Sequence, residues 1–196
     1  MLIAMRRIAA RSCRLTPIRA ARRFIRQEDG ATAVEFGMVA LPFLALTFAI
    51  LETALVFFAD QTLEAAVSDS ARLILTGQAQ TASYSQADFK TQVCNRLYGM
   101  FDCTKLTVDV KNYSSFAAMN SGISTTPVTN GQIDNTKTGY VPGGPGCIEA
   151  ISLYYPWPIY VTLLGDHLDN LTSGIRLLVA TSVFRNEPYG GSGACS

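Results

Sequence analysis

The sequence has a single histidine, His167, and no Cys-x-x-C pair anywhere along its 196 residues. One histidine in Gly165-Asp166-His167-Leu168-Asp169, with no nucleophile motif and no second polar cluster, reads as a solvated loop rather than a base with its orienting carboxylate. Without paired cysteines a zinc site has no framework. The glycine- and proline-rich run Pro142-Gly143-Gly144-Pro145-Gly146 is not followed by Lys-Ser/Thr, which excludes a phosphate-binding loop of the nucleotide-hydrolase kind. No internal repeat is present, so a solenoid is excluded as well. No cofactor and no metal is implied.

Two further absences concern charge. Residues 1–26 contain no acid, and Phe36–Leu51 contain no charge of either sign. Residues 1–29 carry eight arginines against Glu28 and Asp29, a net +6, which leaves −5 on residues 30–196. Arginine on one flank of an apolar segment marks the cytoplasmic side of a membrane helix. That flank accounts for the arginines without invoking nucleic acid. The charge-free run spans only ~24 Å as a helix, short of the ~30 Å hydrocarbon core. Extending it to Ala31–Ala59 makes a comfortable span, with Glu35 and Glu52 near its two interfaces. The 48% hydrophobic content and the mean hydropathy of +0.20 agree with a chain partly in lipid. A cleaved secretory signal is disfavoured by the length of the apolar run, and a mitochondrial presequence by its junction with a span.

With the N-terminus inside, Cys13 is cytoplasmic and four cysteines face an oxidising compartment: Cys94, Cys103, Cys147 and Cys195. Four cysteines allow three pairings. Cys94–Cys103, closing a short loop after a helix, and Cys147–Cys195, pinning the C-terminal tail, are favoured.

The helical pattern continues beyond the lipid. Leu63, Val67, Ala71 and Ile74 form an i, i+4, i+8, i+11 stripe, and Thr76-Gly77 reads as a stop. Pro42 removes the hydrogen bond to the Met38 carbonyl and predicts a kink, loosened further by Gly37. After a polar linker at Gln78–Ser83, Ser85 and Asp88 cap a helix over residues 85–98, with Phe89, Val93 and Leu97 on one face. Strands are expected near 104–113, 147–155 and 175–185. Residues 114–146 read as a long loop, Pro156-Trp157-Pro158 as a break in pairing, and Tyr160–Leu168 as a short apolar helix. The fold class is α+β: a long N-terminal transmembrane helix continuing into a small, mostly antiparallel sheet. The parts are a basic leader (1–30), a transmembrane part (31–59) and an extracytoplasmic domain (60–196).

Gly30-Ala31-Thr32-Ala33-Val34-Glu35-Phe36, behind its basic leader, resembles the cleavage site of type IV prepilins. The run through Pro42 to Glu52 resembles TadE-type pseudopilins of the tight-adherence (Flp) pilus system, as do Ala65–Gly77 and Val183–Tyr189. Residues 78–146 carry no such resemblance. The resemblance implies a pilin-like fold and cleavage by a membrane prepilin peptidase between Gly30 and Ala31, with Glu35 becoming the fifth mature residue. It implies a bacterial inner-membrane protein with a periplasmic domain, and other pseudopilins and the major pilin as partners, and leaves open whether the chain enters the fibre or stays in the inner membrane. The sequons at Asn112 and Asn170 are then incidental. Physically, a glycine before the scissile bond lets an extended backbone enter a narrow cleft. The Glu35 carboxylate in an apolar helix bundle would select register by pairing with a neighbour's α-ammonium, since an offset subunit leaves a charge unpaired. Glu52 lies about 100° around the helix from Glu35, so it serves either a different inter-subunit contact or interfacial placement. Pro42 lies within about 20° of Glu35's face and would let the helix bend or melt as it leaves the bilayer. The rival reading is an uncleaved single-pass anchor presenting a periplasmic binding domain to an envelope complex. A membrane-tethered enzyme would need a concave site that the sequence does not advertise.

Overall fold

The computed structural model describes residues 28–97, 99–122, 127–161, 169–171, 174–191 and 193–195. The arginine leader, His167 and most of the apolar helix expected at Tyr160–Leu168 lie outside the described residues. The chain divides into two units, Met1–Leu46 and Thr47–Ser196, and one helix, α1 (Glu28–Leu75), contributes to both.

The first unit, as described, is helix alone. Val34, Phe36, Met38, Val39, Leu41, Phe43, Leu44 and Leu46 are all exposed, from 48% to 75%. A helix whose large apolar side chains are exposed on every side suits lipid rather than a core. α1 holds a stretch long and apolar enough to cross a membrane, with a mean hydropathy of 2.1 and only 11% of that window buried. The helix runs uninterrupted through Pro42.

In the second unit α1 changes character. Val56, Ala59, Leu63, Ala66, Val67, Ala71 and Ile74 recur at three- and four-residue spacing and are almost wholly buried. This stripe packs with Phe89, Val93 and Leu97 and with the inner face of a three-stranded antiparallel sheet. The sheet has β1 (Thr107–Tyr113) and β5 (Ile175–Arg185) at its edges and β4 (Ile148–Pro158) between them. Register places Val108 opposite Leu153, Val110 opposite Ile151, and Leu153 opposite Ala180, so one face is apolar across all three strands. The fold is α+β, a long apolar helix followed by a small antiparallel sheet.

α1 ends where Gly77 takes φ +76°. The tail then seals that end: Glu187 N–H donates to the Leu75 carbonyl, and the Tyr189 ring lies against Gly77. The linker expected at Gln78–Ser83 contains a single helical turn, α2 (Gln78–Thr81). α3 (Gln86–Cys94) starts with a reciprocal capping box between Ser85 and Asp88. Hydrogen bonds from Ser85 hold the Asp88 carboxyl below its usual range. α3 is shorter than the span 85–98 expected, yet Leu97 stays buried in the turn beyond it. Two disulfides close the domain, Cys94–Cys103 and Cys147–Cys195, with Cα separations of 6.0 and 5.4 Å.

Three expectations need correction. The strand expected from 104 starts at Thr107, because Asp102 Oδ1 takes both the N–H and the hydroxyl of Thr104 and turns the chain there. The region 114–146 is not a plain loop. It holds α4 (Phe116–Gly122), a hairpin of β2 (Val128–Thr129) and β3 (Gln132–Ile133), and a 3-10 turn at Asn135–Lys137. Asn130 and Gly131 both have positive φ, the signature of a tight hairpin turn legible in their Asn-Gly sequence.

Finally, Pro156 and Pro158 do not break pairing; they face Leu177 and Ile175 in register. Ile159 N–H donates to the Gly174 carbonyl, so by alternation the two prolines direct their missing N–H positions to the opposite edge. On that edge β1's register ends at Tyr154, and no ladder bond is lost.

A Cβ at position 77 would stand 2.5 Å from Tyr189 Cγ, on a backbone that L residues avoid. Gly77→Ala is expected to cost about 2 kcal/mol or more. Thermal unfolding of the detergent-solubilised chain checks this, with a clear drop in Tm expected.

Candidate functional site

The residues of the N-terminal motif sit on the first turns of α1. Gly30 is already helical, since α1 begins at Glu28, so the extended scissile backbone expected from the sequence is not the resting conformation. A protease would have to unwind this turn. The cost is small, because the first N–H groups of a helix have no intrahelical partners and glycine is a poor helix former. A Cβ added to Gly30 meets nothing within 4 Å. Ala31, Glu35, Phe36 and Pro42 are all exposed. Glu35 has no hydrogen-bond or ion-pair partner among the described residues, and it is the only charge between Gly30 and Leu51. This is a surface bearing one carboxylate and otherwise built to be covered by something apolar.

Glu52 behaves differently. It is 8% exposed, and its two carboxylate oxygens accept the backbone N–H groups of Tyr160 (2.5 Å) and Val161 (2.6 Å). The sequence offered an inter-subunit contact or an interfacial position for Glu52. The structure instead uses it within the chain, tying α1 to the segment that follows β4. Hydrogen bonds to a charged acceptor contribute roughly 1.5–3 kcal/mol each. Nothing in the sequence pairs position 52 with 160, since the partners are main-chain amides more than a hundred residues away.

A second polar centre was not foreseen. Glu149 is wholly buried, and its Oε1 accepts from Gly143 N–H (2.5 Å) and Asn186 Nδ2 (3.1 Å). The Gly143 carbonyl in turn accepts from Gln80 (3.0 Å), Asn186 (3.2 Å) and the Tyr189 hydroxyl (3.2 Å). Gly144 and Gly193 touch backbone to backbone, where a Cβ on either would overlap the other. The Cys147–Cys195 disulfide holds the same neighbourhood. Burial pushes the Glu149 carboxyl up to about 7, partly offset by its two hydrogen bonds. Burial, with Glu149 nearby, also pushes Tyr140 up to about 12. The strand parity could have revealed Glu149: it shares the inward face with Ile151 and Leu153.

A carboxyl titrating near neutrality invites an acid–base reading, but its surroundings do not expose it to a substrate. The cavity beside it, about 250 Å³, is lined by Gln80, Thr81, Tyr189 and the backbone of the two glycine turns, and not by Glu149. A larger hollow of about 370 Å³ between α3 and β1 has Lys90 as its sole charged lining residue. No group of three or more metal-binding side chains occurs among the described residues. The sequon residue Asn112 is buried and donates to the Val141 carbonyl. Glu149 therefore acts as a structural clamp between β4, the Gly143 turn and the tail.

That clamp has a pH signature. The folded state holds the Glu149 proton up to about pH 7 whereas the unfolded chain releases it near 4.5. Stability is therefore highest below pH 4.5 as far as this group is concerned, falls through the window between, and stays reduced above it. Glu149→Gln is expected to flatten this slope and to raise stability at pH 8 by up to ~3 kcal/mol. Urea midpoints at pH 5 and pH 8 for both chains measure it. For Glu52, Glu52→Ala is expected to speed hydrogen exchange at the Tyr160 and Val161 amides at least about tenfold, since each loses its acceptor.

Residues 30–72 match the family model of TadE-like proteins. The match covers the apolar part of α1 and most of its buried stripe, and leaves the sheet and the Val183–Tyr189 segment outside it. No curated protein and no solved structure matches the chain.

Proposed function

We propose that this chain is a pseudopilin associated with a Tad-type pilus, without catalytic activity of its own, and cleaved by a prepilin peptidase between Gly30 and Ala31. The observation that carries this reading is a coincidence of position. The TadE-like match begins at Gly30, where an arginine-rich leader gives way to a helix that exposes apolar side chains on all sides. Cleavage would remove the leader with Cys13 and place Glu35 fifth in the mature chain. In the bilayer, the exposed helix surface meets lipid. In an assembly it would meet the corresponding helices of other pseudopilins and of the major pilin. An unpartnered Glu35 would there be costly unless a neighbour's α-ammonium met it, which makes it a register-selecting group rather than a source of net stability. The domain beyond the span (60–196) would lie in the periplasm, where its two disulfides persist.

The test is the N-terminus of the protein isolated from its own envelope. Ala31 is the expected first residue, absent in cells without the peptidase. Gly30→Leu is expected to block processing while leaving thermal unfolding unchanged, because position 30 has open space around it. A wild-type chain that keeps its leader would replace this reading with the uncleaved anchor.

A further inference from the structure

The Glu52 clamp fixes more than a loop. Charge is absent from Phe36 to Leu51, so Glu52 is the first charged group where α1 leaves the apolar run. Its carboxylate holds the main chain of Tyr160 and Val161. Those two residues are therefore held at the level at which the helix emerges from lipid. Tyr160 is 81% exposed, above every other large apolar or aromatic side chain of the described domain. Around the same level α1 exposes Leu51, Leu55, Phe57 and Phe58, at 53% to 63%. Leu55, Phe57 and Phe58 stand about 5, 8 and 9 Å past Glu52 along the helix axis, comparable with a headgroup layer of roughly 5–8 Å. The exposed apolar surface then stops, and Asp60 is the next charge. An exposed tyrosine ring with its backbone satisfied, set level with a span's end, is the arrangement found in interfacial aromatic belts.

We propose that Tyr160, in the segment just after β4, forms a second contact of this protein with the lipid bilayer. The periplasmic domain is then held against the membrane at two points, α1 and Tyr160, with Glu52 as the positioning residue that keeps them at one depth. The occupant is lipid because the exposed apolar surface of α1 is continuous with the lipid-crossing stretch itself and ends about 9 Å past Glu52, close to the depth of the headgroup layer. This inference rests on α1 spanning a bilayer, and it holds whether or not the leader is cleaved.

Trp157 is the only tryptophan, so a single-tryptophan reporter is simple to make. In full-length protein reconstituted into phospholipid vesicles, Tyr160→Trp in a Trp157→Phe background reports the segment after β4. Phe43→Trp in the same background, about 14 Å before Glu52 along the helix axis and so near mid-bilayer, reports the span through lipids brominated near their chain ends. Lipids brominated near the headgroup end of their acyl chains are expected to quench Tyr160→Trp, as at the interfacial depth where aromatic belts sit, with little quenching by aqueous iodide. Adding Glu52→Gln is expected to weaken that lipid quenching while leaving Phe43→Trp unchanged. Quenching of Phe43→Trp by lipid together with quenching of Tyr160→Trp by iodide alone would overturn the second contact and leave the span intact. Quenching of neither by lipid would overturn the span as well. Trp157 packs against Phe101 and Tyr155, so a chain unaltered except for a benzophenone side chain at position 160 gives an independent reading. Photo-crosslinking to phospholipid supports the proposal, and crosslinking to protein alone sinks it.

Discussion

Everything in this chain depends on one helix that must satisfy two solvents in succession. Over Ala31–Leu51 α1 exposes large apolar side chains around its whole circumference, with Glu35 the one charge among them, a surface suited to lipid or to other apolar helices. From Val56 the same helix keeps one buried stripe and places Asp60, Glu64 and Asp69 off it, as a helix half-embedded in a water-exposed domain must. The sheet exists to cover that stripe. Leu106, Val108, Ile151, Leu153, Leu178 and Ala180 supply the other half of a core that no single element could bury alone.

The polar ties follow from this division. A small domain built on one helix has a limited apolar core, and its ends are closed by covalent and hydrogen-bonded links. One disulfide joins the end of α3 to the loop before β1, and the other fastens the tail beside the Gly143 turn. Glu149 takes the Gly143 N–H while Asn186 donates to the Gly143 carbonyl, gathering three chain segments around one residue at the cost of a buried carboxyl that would rather be protonated. Glu52 does the corresponding work where α1 leaves its charge-free run, its carboxylate taken up by two amides of its own chain. The functional reading and the fold thus meet at α1. The segment that matches TadE-like proteins is the helix, and the domain that does not match is what the helix carries.

Much of the architecture was legible because it rests on local rules. Ser85 and Asp88 announce a cap, and Leu63, Val67, Ala71 and Ile74 announce a buried face. The errors came where local rules are overridden by position in the sheet. Pro156 and Pro158 look like strand breakers, yet they fit because β1 is too short to need their N–H groups. Asn130-Gly131 was a readable hairpin signal inside a stretch whose Ser, Thr and Gly content suggested only loop.

What the sequence by itself determined is the long apolar helix, the α+β class and the motif around Gly30 and Glu35, because each depends on residues within a few turns of one another. Only the tertiary structure decided what Glu52, Glu149, Asn186 and Tyr189 do. Their partners are backbone groups brought close by chain closure, and a main-chain amide or carbonyl has the same identity at every position until the fold selects one.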